Sequence, residues 1–430
     1  MILQTPIFAA MPEVTPGQWV VLTGAATNVA CALLGCFLVL RRMSMMGDAL
    51  SHAVLPGLVV AFLFSGSMSI LPLFAGAVAC GLLTTFLIQT LHQYGRVPSD
   101  ASMGVVFTSM FALGVVLVKK FVSGLHFDIA CVYEGTLELV SLADPIGGLP
   151  RPLFTTLLVL LVNLAVLVLL WKELKLSSFD PALATTIGIS ATAMHYLLMT
   201  LVAVTAVASF EAVGSILVVA MLIVPAATAN LLTDRLAVMV LLSAAVGVAS
   251  SVLGYWAAAF WDTNIAGMMT VAAGLLYVLA VFLSPRYGVC STLVRNVRMS
   301  LRVLREDLLA MLYRVEELGS QKQMTAAEAS EAVGGGWLVG WGVRELVQKG
   351  RILRDGERLQ LTDKGRQDAR QLVRSHRLWE TYLVQHLGMP LDHVHEPAHR
   401  VEHFINEQLR QELESEIDPS RQDPHGRDIP

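Results

Sequence analysis

A chain of 430 residues that is 55% hydrophobic and only 15% charged is no ordinary soluble protein, in which about 25% of residues carry charge. Its formal net charge of −4 excludes a strong whole-chain attraction to nucleic acid or acidic partners. Of the 64 Lys, Arg, Asp and Glu residues, 21 precede residue 286, so composition divides the chain near Pro285 into a membrane region and a soluble region.

No cleavable leader stands out, because the first residues lack a basic stretch. Apolar runs near the roughly 20 residues of a bilayer span fall at 18–40, 49–65, 69–91, 101–118, 152–171, 193–209, 212–231, 237–258 and 268–284. They predict about nine transmembrane helices, the second and sixth short enough to be tilted or broken. Basic residues at Arg41, Arg42, Arg96, Lys172, Lys175, Arg235 and from Arg286 onward place the N-terminus outside and the C-terminal region in the cytoplasm. Lys119, Lys120 and Arg151 oppose this, in a loop that also holds Asp128, Glu134, Glu138 and Asp144. The five cysteines, Cys31, Cys36, Cys80, Cys131 and Cys290, show no CxxC spacing and read as small apolar residues.

Ionisable residues inside spans are costly, so each is a site candidate. Asp48 and His52 lie one turn apart at the start of the second span and pair a carboxylate with an imidazole, a ligand set for a divalent cation. The plainer reading makes Asp48 a helix cap and His52 a packing residue. Glu211 reads as interfacial, and His195 and Asn28 are weaker candidates. No GxxxxGK[ST] motif occurs, so no phosphate-cradling loop of that type is present and any ATP is bound by another subunit. Phe179-Asp180-Pro181 opens a short helix that Gly188 stops. It is either a docking element or an ordinary loop helix.

Beyond the last span, Arg295, Arg298, Arg302 and Arg305 recur at helical spacing, a basic stripe suited to anionic headgroups. Thr325 with Glu328 forms a capping box for a helix to Val333. Gly334-Gly335-Gly336 turns the chain, Trp337–Lys349 reads as the next helix, and Asp355-Gly356 turns a hairpin within 351–361. That is a winged helix-turn-helix order. On the 337–349 helix, Trp, Gly, Leu and Val stand where base reading needs hydrogen-bonding side chains. This argues against DNA and for a protein or membrane contact through Trp337 and Trp341. Further on, His395, His399, Glu402 and His403 share one helix face at i, i+4, i+7 and i+8, and His376 with Glu380 adds an i, i+4 pair.

Arg41 to Gly57, with Gly47-Asp48-Ala49-Leu50-Ser51-His52 at its centre, closely resembles the signature of the manganese/zinc/iron ABC permease family. Phe179-Asp180-Pro181 to Gly188 is similar to that family's ATPase-coupling segment, and Val213 to Ala229 to a third family segment. The resemblance covers nearly all of 18–284. It implies a homodimeric or heterodimeric permease, a separate ATPase subunit, an extracytoplasmic metal-binding protein, a bacterial inner-membrane location, and Asp48 and His52 as transport-pathway residues.

Residues from about 303 onward, through Leu361-Thr362-Asp363-Lys364-Gly365, His376-Arg377-Leu378 and Val394 to His403, resemble the iron/manganese-dependent repressors of diphtheria-toxin-repressor type. The match runs to Pro424–Pro430, where that family passes to a third, SH3-like domain absent from this sequence. The resemblance implies that Asp307, His399, Glu402 and His403 form one metal site and His376, Glu380 and His395 an ancillary one. Asp307 stands where manganese-type members carry aspartate and iron-type members methionine. His399 stands where these carry Glu and Cys respectively. A set of N and O ligands without thiolate suits Mn²⁺ or Fe²⁺ and permits Zn²⁺.

The expected architecture is thus an all-α polytopic membrane domain (1–285), a basic juxtamembrane linker helix (286–302), a winged-helix domain (303–366) and a helical metal-binding and dimerisation domain (367–430). The expected function is the non-enzymatic permease subunit of a divalent-metal importer, Mn²⁺ first, with a cytoplasmic metal-sensing domain. The alternative is a membrane-anchored, metal-dependent transcriptional regulator.

Overall fold

The computed structural model of the chain describes residues 15–66, 70–121, 137–146, 148–319, 324–417 and 422–430. Cys131, Asp128 and Glu134 lie outside these residues, as does the Glu211 side chain. The chain forms two compact units that divide after Ser291.

In the first unit, eight helices among the described residues are long and apolar enough to cross a bilayer. They are Pro16–Leu40, Met46–Ser65, Pro72–Gln93, Ser99–Phe121, Arg151–Leu169, Ala191–Phe210, Leu236–Trp261 and Ile265–Leu283, with a shorter apolar helix at Leu217–Leu232. The nine runs of the sequence thus become eight full-length helices and one short one. Pro16–Leu40 is the most buried and packs against Ala191–Leu232, Leu236–Trp261 and Arg151–Leu169.

The 42-residue helix Ala191–Leu232 is continuous in outline but is broken at Gly214, whose φ of 75° and ψ of 165° are not helical. A side chain is strained there, so glycine permits the break. The second span is also broken: one helix runs from Met46 to Ala53 and a second from Leu55 to Ser65. Pro56 sits in the first turn of the second helix, where its missing N–H costs no helical bond.

Small residues bring these helices together, as apolar spans without a hydrophobic drive between them require. A Cβ on Gly57 would lie 2.2 Å from the Gly76 carbonyl oxygen. Buried polar side chains pair between helices: the Asn28 amide donates to Ser250 Oγ at 3.0 Å and Ser251 Oγ at 3.2 Å, and the Asn163 amide to Thr205 Oγ1 at 2.8 Å. Asn28 is thus a packing residue. Cys31, Cys36 and Cys80 are buried and Cys290 exposed, all as free thiols.

In the second unit, a single helix runs from Val289 to Glu317 and carries the arginine stripe. Its Leu308, Leu309 and Leu312 enter a core with Val339, Val343 and Leu346 of the Trp337–Gln348 helix and with Ile352, Leu359 and Leu361. Ile352–Asp355 pairs antiparallel with Arg358–Leu361, and Gly356 turns the hairpin at φ 61°. The short helix Ala326–Ala332 is capped by Thr325, with the reciprocal Glu328 bond in place.

Helix Asp363–Leu387 follows, capped by Thr362 and ended by Gly388 in the left-handed region. Helix His395–Val401, a 3-10 turn Glu402–Phe404 and helix Glu407–Glu416 complete the unit. Arg377 is buried and ties the unit's end together. It pairs with Glu317, lies 3.5 Å from Asp423 and donates to the Asp428 carbonyl. Burial works against its charge, but the carboxylates raise its pKa further above its ordinary value.

Candidate metal centres in two regions

In the membrane unit, His52 Nε2 lies 3.5 Å from Asp48 Oδ1, with the two side chains 30% and 44% exposed. Asp48 does not cap its helix. Met45 is the capping residue, without a side-chain bond, and Asp48 occupies the first turn. The His52 ring packs edge-on to Phe111, centroids 5.6 Å apart, and lies 6.1 Å from the Phe107 ring. The pair therefore has one apolar wall and a half-open mouth. A two-ligand site of this openness suits an ion that keeps part of its water and leaves again. His195 lies beside Tyr196, ring centroids 5.7 Å apart, on another helix.

The Phe179-to-Gly188 segment forms a helix Pro181–Thr186. Asp180 Oδ1 caps it by accepting from the Leu183 N–H at 2.9 Å, and Gly188 leaves it at φ 93°. Phe179, Leu183 and Ile187 are all exposed. Leu183 lies on this helix and Ile187 at its end, one turn apart, while Phe179 ends the preceding helix on the other side of the non-helical Asp180. Sequence reasoning did not anticipate Arg41 here: its guanidinium donates to Ser177 Oγ at 2.9 Å and Ser178 Oγ at 3.0 Å, fixing the helix that leads into this segment.

The second unit holds two carboxylate–imidazole clusters. In the first, Asp307, His399, Glu402 and His403 each offer a ligand atom within 4.8 Å of the others. His403 Nε2 faces Asp307 Oδ1 at 3.3 Å, and His399 Nδ1 lies 2.9 Å from Glu402 Oε1. The second cluster joins His376, Glu380 and His395. His376 Nε2 lies 3.1 Å from Glu380 Oε1, and His395 Nδ1 lies 2.9 Å from that same oxygen.

The expected single helix face is therefore split. The α-helix stops at Val401, a 3-10 turn carries Glu402 and His403, and His395 joins His376 rather than His399. The side chains of His376, Glu380 and Glu402 are 2–3% exposed.

These residues fit a divalent cation. Asp307 Oδ1 faces His403 Nε2 at 3.3 Å and Glu402 Oε2 faces His376 Nδ1 at 2.6 Å, and none of these four buried atoms has a further hydrogen-bond partner. Carboxylates and imidazoles buried face to face in this way are a donor set that a divalent cation can bridge. His376 also joins the two clusters: its Nδ1 lies 2.6 Å from Glu402 Oε2, while its Nε2 faces Glu380.

Burial disfavours charge on Glu380, but His376 and His395 outweigh it and hold its pKa down to about 2. Glu402 is likewise kept below its ordinary value by His376 and His399 against the effect of burial. Burial pulls the His403 pKa down, yet the carboxylates of Asp307 and Glu306 raise it to about 9. A divalent ion supplies the positive charge that protons otherwise bring to this carboxylate-rich site.

Two further residues escaped sequence reasoning. Glu306 Oε2 lies 2.8 Å from His403 Nδ1, and Glu306 Oε1 accepts from Arg302 Nε at 3.0 Å. Arg302 also donates to the His403 carbonyl at 3.3 Å. This is the outer support that orients a metal-binding imidazole. It also corrects the arginine stripe. Arg302 and Arg305 are engaged by Glu306 and Glu345, Arg302 while still exposed, as Arg295 and Arg298 also are.

Comparison with known proteins follows the same division. Residues 15–284 match the ABC 3 transport family. Residues 362–430 match the iron dependent repressor, metal binding and dimerisation domain. The manganese transport system membrane protein MntD of Bacillus subtilis is 44% identical over 287 residues, covering 65% of this chain and 96% of its own length. The zinc transport system membrane protein TroD of Treponema pallidum is 38% identical over 357 residues, 80% of this chain and 96% of its own. Among solved structures, PsaBC from Streptococcus pneumoniae in complex with Fab is similar at a TM-score of 0.54 and 32% identity. It covers 63% of this chain and 92% of that one.

Proposed function

The chain belongs to the ABC 3 transport family, a family of non-enzymatic, multi-pass permeases, and we propose that it is the membrane subunit of an importer for a divalent transition metal ion, Mn²⁺ ahead of Zn²⁺ or Fe²⁺, with its own cytoplasmic metal sensor. In this reading the membrane unit is assembled with a second permease subunit and an extracytoplasmic metal-binding protein. A separate ATPase subunit binds the nucleotide and engages the segment of Phe179, Asp180, Pro181 and Gly188, whose Phe179, Leu183 and Ile187 are exposed. Asp48 and His52 line the ion path.

The observation that carries the sensor reading is the position of Asp307. It lies on the same helix that begins at Val289, while its partner ligands come from the region after Val394. Asp307 can converge on His399, Glu402 and His403 only when that helix is drawn to the C-terminal segment. Glu306 and Arg302 hold His403 in the orientation that capture requires. His376, Glu380 and His395 hold a second ion, and the His376–Glu402 contact makes each site feel the other. The helix, helix and hairpin order of 326–361 supports a winged-helix domain that has lost base-reading side chains.

Elemental analysis of the purified full-length chain tests this. Up to two Mn²⁺ per chain are expected, falling on substitution of Glu402 by Ala. A metal content unchanged by that substitution overturns the sensor. Loss of cellular Mn²⁺ accumulation on Asp48→Ala tests the path separately. Metal-dependent, sequence-specific gel shift by the full chain would instead support a membrane-anchored regulator.

A further inference from the structure

We propose that the exposed face of the Trp337–Gln348 helix is a lipid-binding surface that docks the second unit on the anionic leaflet of the membrane in which the chain is anchored.

Trp337 and Trp341 are 74% and 63% exposed. With Gly340, Arg344 and Gln348 they occupy one side of the helix, at i, i+3, i+4, i+7 and i+11. The opposite side satisfies the fold: Val339, Val343 and Leu346 are buried, and a Cβ on Gly342 would lie 2.5 Å from Leu304 Cδ2. The tryptophans are therefore not required for packing. Gly340 has open space around it, so nothing on the helix keeps a flat surface from lying across both indoles.

The chemistry of the face selects a lipid surface. Indole has an apolar body and one N–H donor, and it settles at headgroup depth in bilayers. Arg344 is exposed and no acidic side chain stands at any of the five positions. Glu345, just beside them, is engaged by Arg305 and Lys349. An aromatic pair with an unopposed cation is the composition of an interfacial membrane helix, and such a cation is drawn to an anionic leaflet. The tether decides among partners. The last apolar helix ends at Leu283 and Trp337 follows within the same chain, so the bilayer is always present at high effective concentration, whereas a soluble partner must be recruited.

The experiment uses the full chain in phosphatidylglycerol vesicles with plain or acyl-brominated lipid. The Trp337→Phe/Trp341→Phe variant isolates the emission of these two residues by difference. Both positions are exposed, so folding is retained, and circular dichroism checks it. The expected result is loss of most of the difference emission in brominated lipid, relieved by Arg344→Gln at high salt. Difference emission that brominated lipid leaves intact overturns the proposal. In that case, quenching by added duplex DNA assigns the face to nucleic acid, and an unquenched but blue-shifted emission assigns it to a protein contact.

Discussion

The molecule places a carboxylate four residues from an imidazole in two very different settings. Asp48 and His52 stand 3.5 Å apart, half-open, with two aromatic rings for company. His376 and Glu380 stand 3.1 Å apart with side chains 3% exposed, inside a shell of further ligands. The difference teaches that helical spacing sets which groups can meet, whereas burial and ligand number set how long an ion stays. Two half-solvated ligands would hold an ion loosely enough to pass it on. Three or four, two of them buried in each cluster, would retain it longer.

The largest expected effect breaks the smaller site. If Asp48 lines the ion path as proposed, Asp48→Ala should cut Mn²⁺ uptake about 100-fold, equivalent to ~2.7 kcal/mol, with the metal content of the second unit unchanged. Equal loss at both sites would show that the two regions are not separate. In the crowded site, His403→Ala leaves three ligands and should weaken Mn²⁺ binding roughly 30-fold, ~2 kcal/mol, by titration calorimetry.

Glu306→Gln leaves every ligand in place but loosens His403, and should cost about tenfold in the same measurement. If it costs nothing, the imidazole is oriented by Asp307 alone. The smallest effect is on acid stability. The hydrogen bond from Arg377 holds Glu317 below the ordinary carboxylate value, against the small opposing effect of burial. Its stabilisation is thus complete above the unfolded carboxylate pKa and is lost as pH falls through the lower folded value. Limited proteolysis of the full chain should show earlier cutting of the second unit in acid, and Glu317→Gln should flatten that dependence.

The apolar runs were readable because a bilayer demands an uninterrupted length of them. The break at Gly214 was approached, because one apolar run ends at 209 and the next begins at 212, but only a backbone angle marks its position. The capping box at Thr325 and the turn at Gly356 were legible because local chemistry determines them. The ligand residues were legible from spacing and family resemblance. Their division into two clusters was legible from the resemblance alone and not from helical spacing, because it depends on the α-helix giving way to a 3-10 turn at Glu402. Glu306 was invisible for another reason. Its partner His403 is 97 residues away, and nothing local distinguishes it from any other surface glutamate.

One continuous helix runs from Val289 to Glu317 and carries Asp307 eighteen residues along, about 27 Å at 1.5 Å per residue. On the function proposed above, a sensor carried in the permease's own chain needs no messenger. Each copy would then answer to the metal in its own neighbourhood rather than to the average of the cell. Two copies in one membrane could be in opposite states at the same moment, and the response time would be set by ion release rather than by the synthesis or dilution of protein.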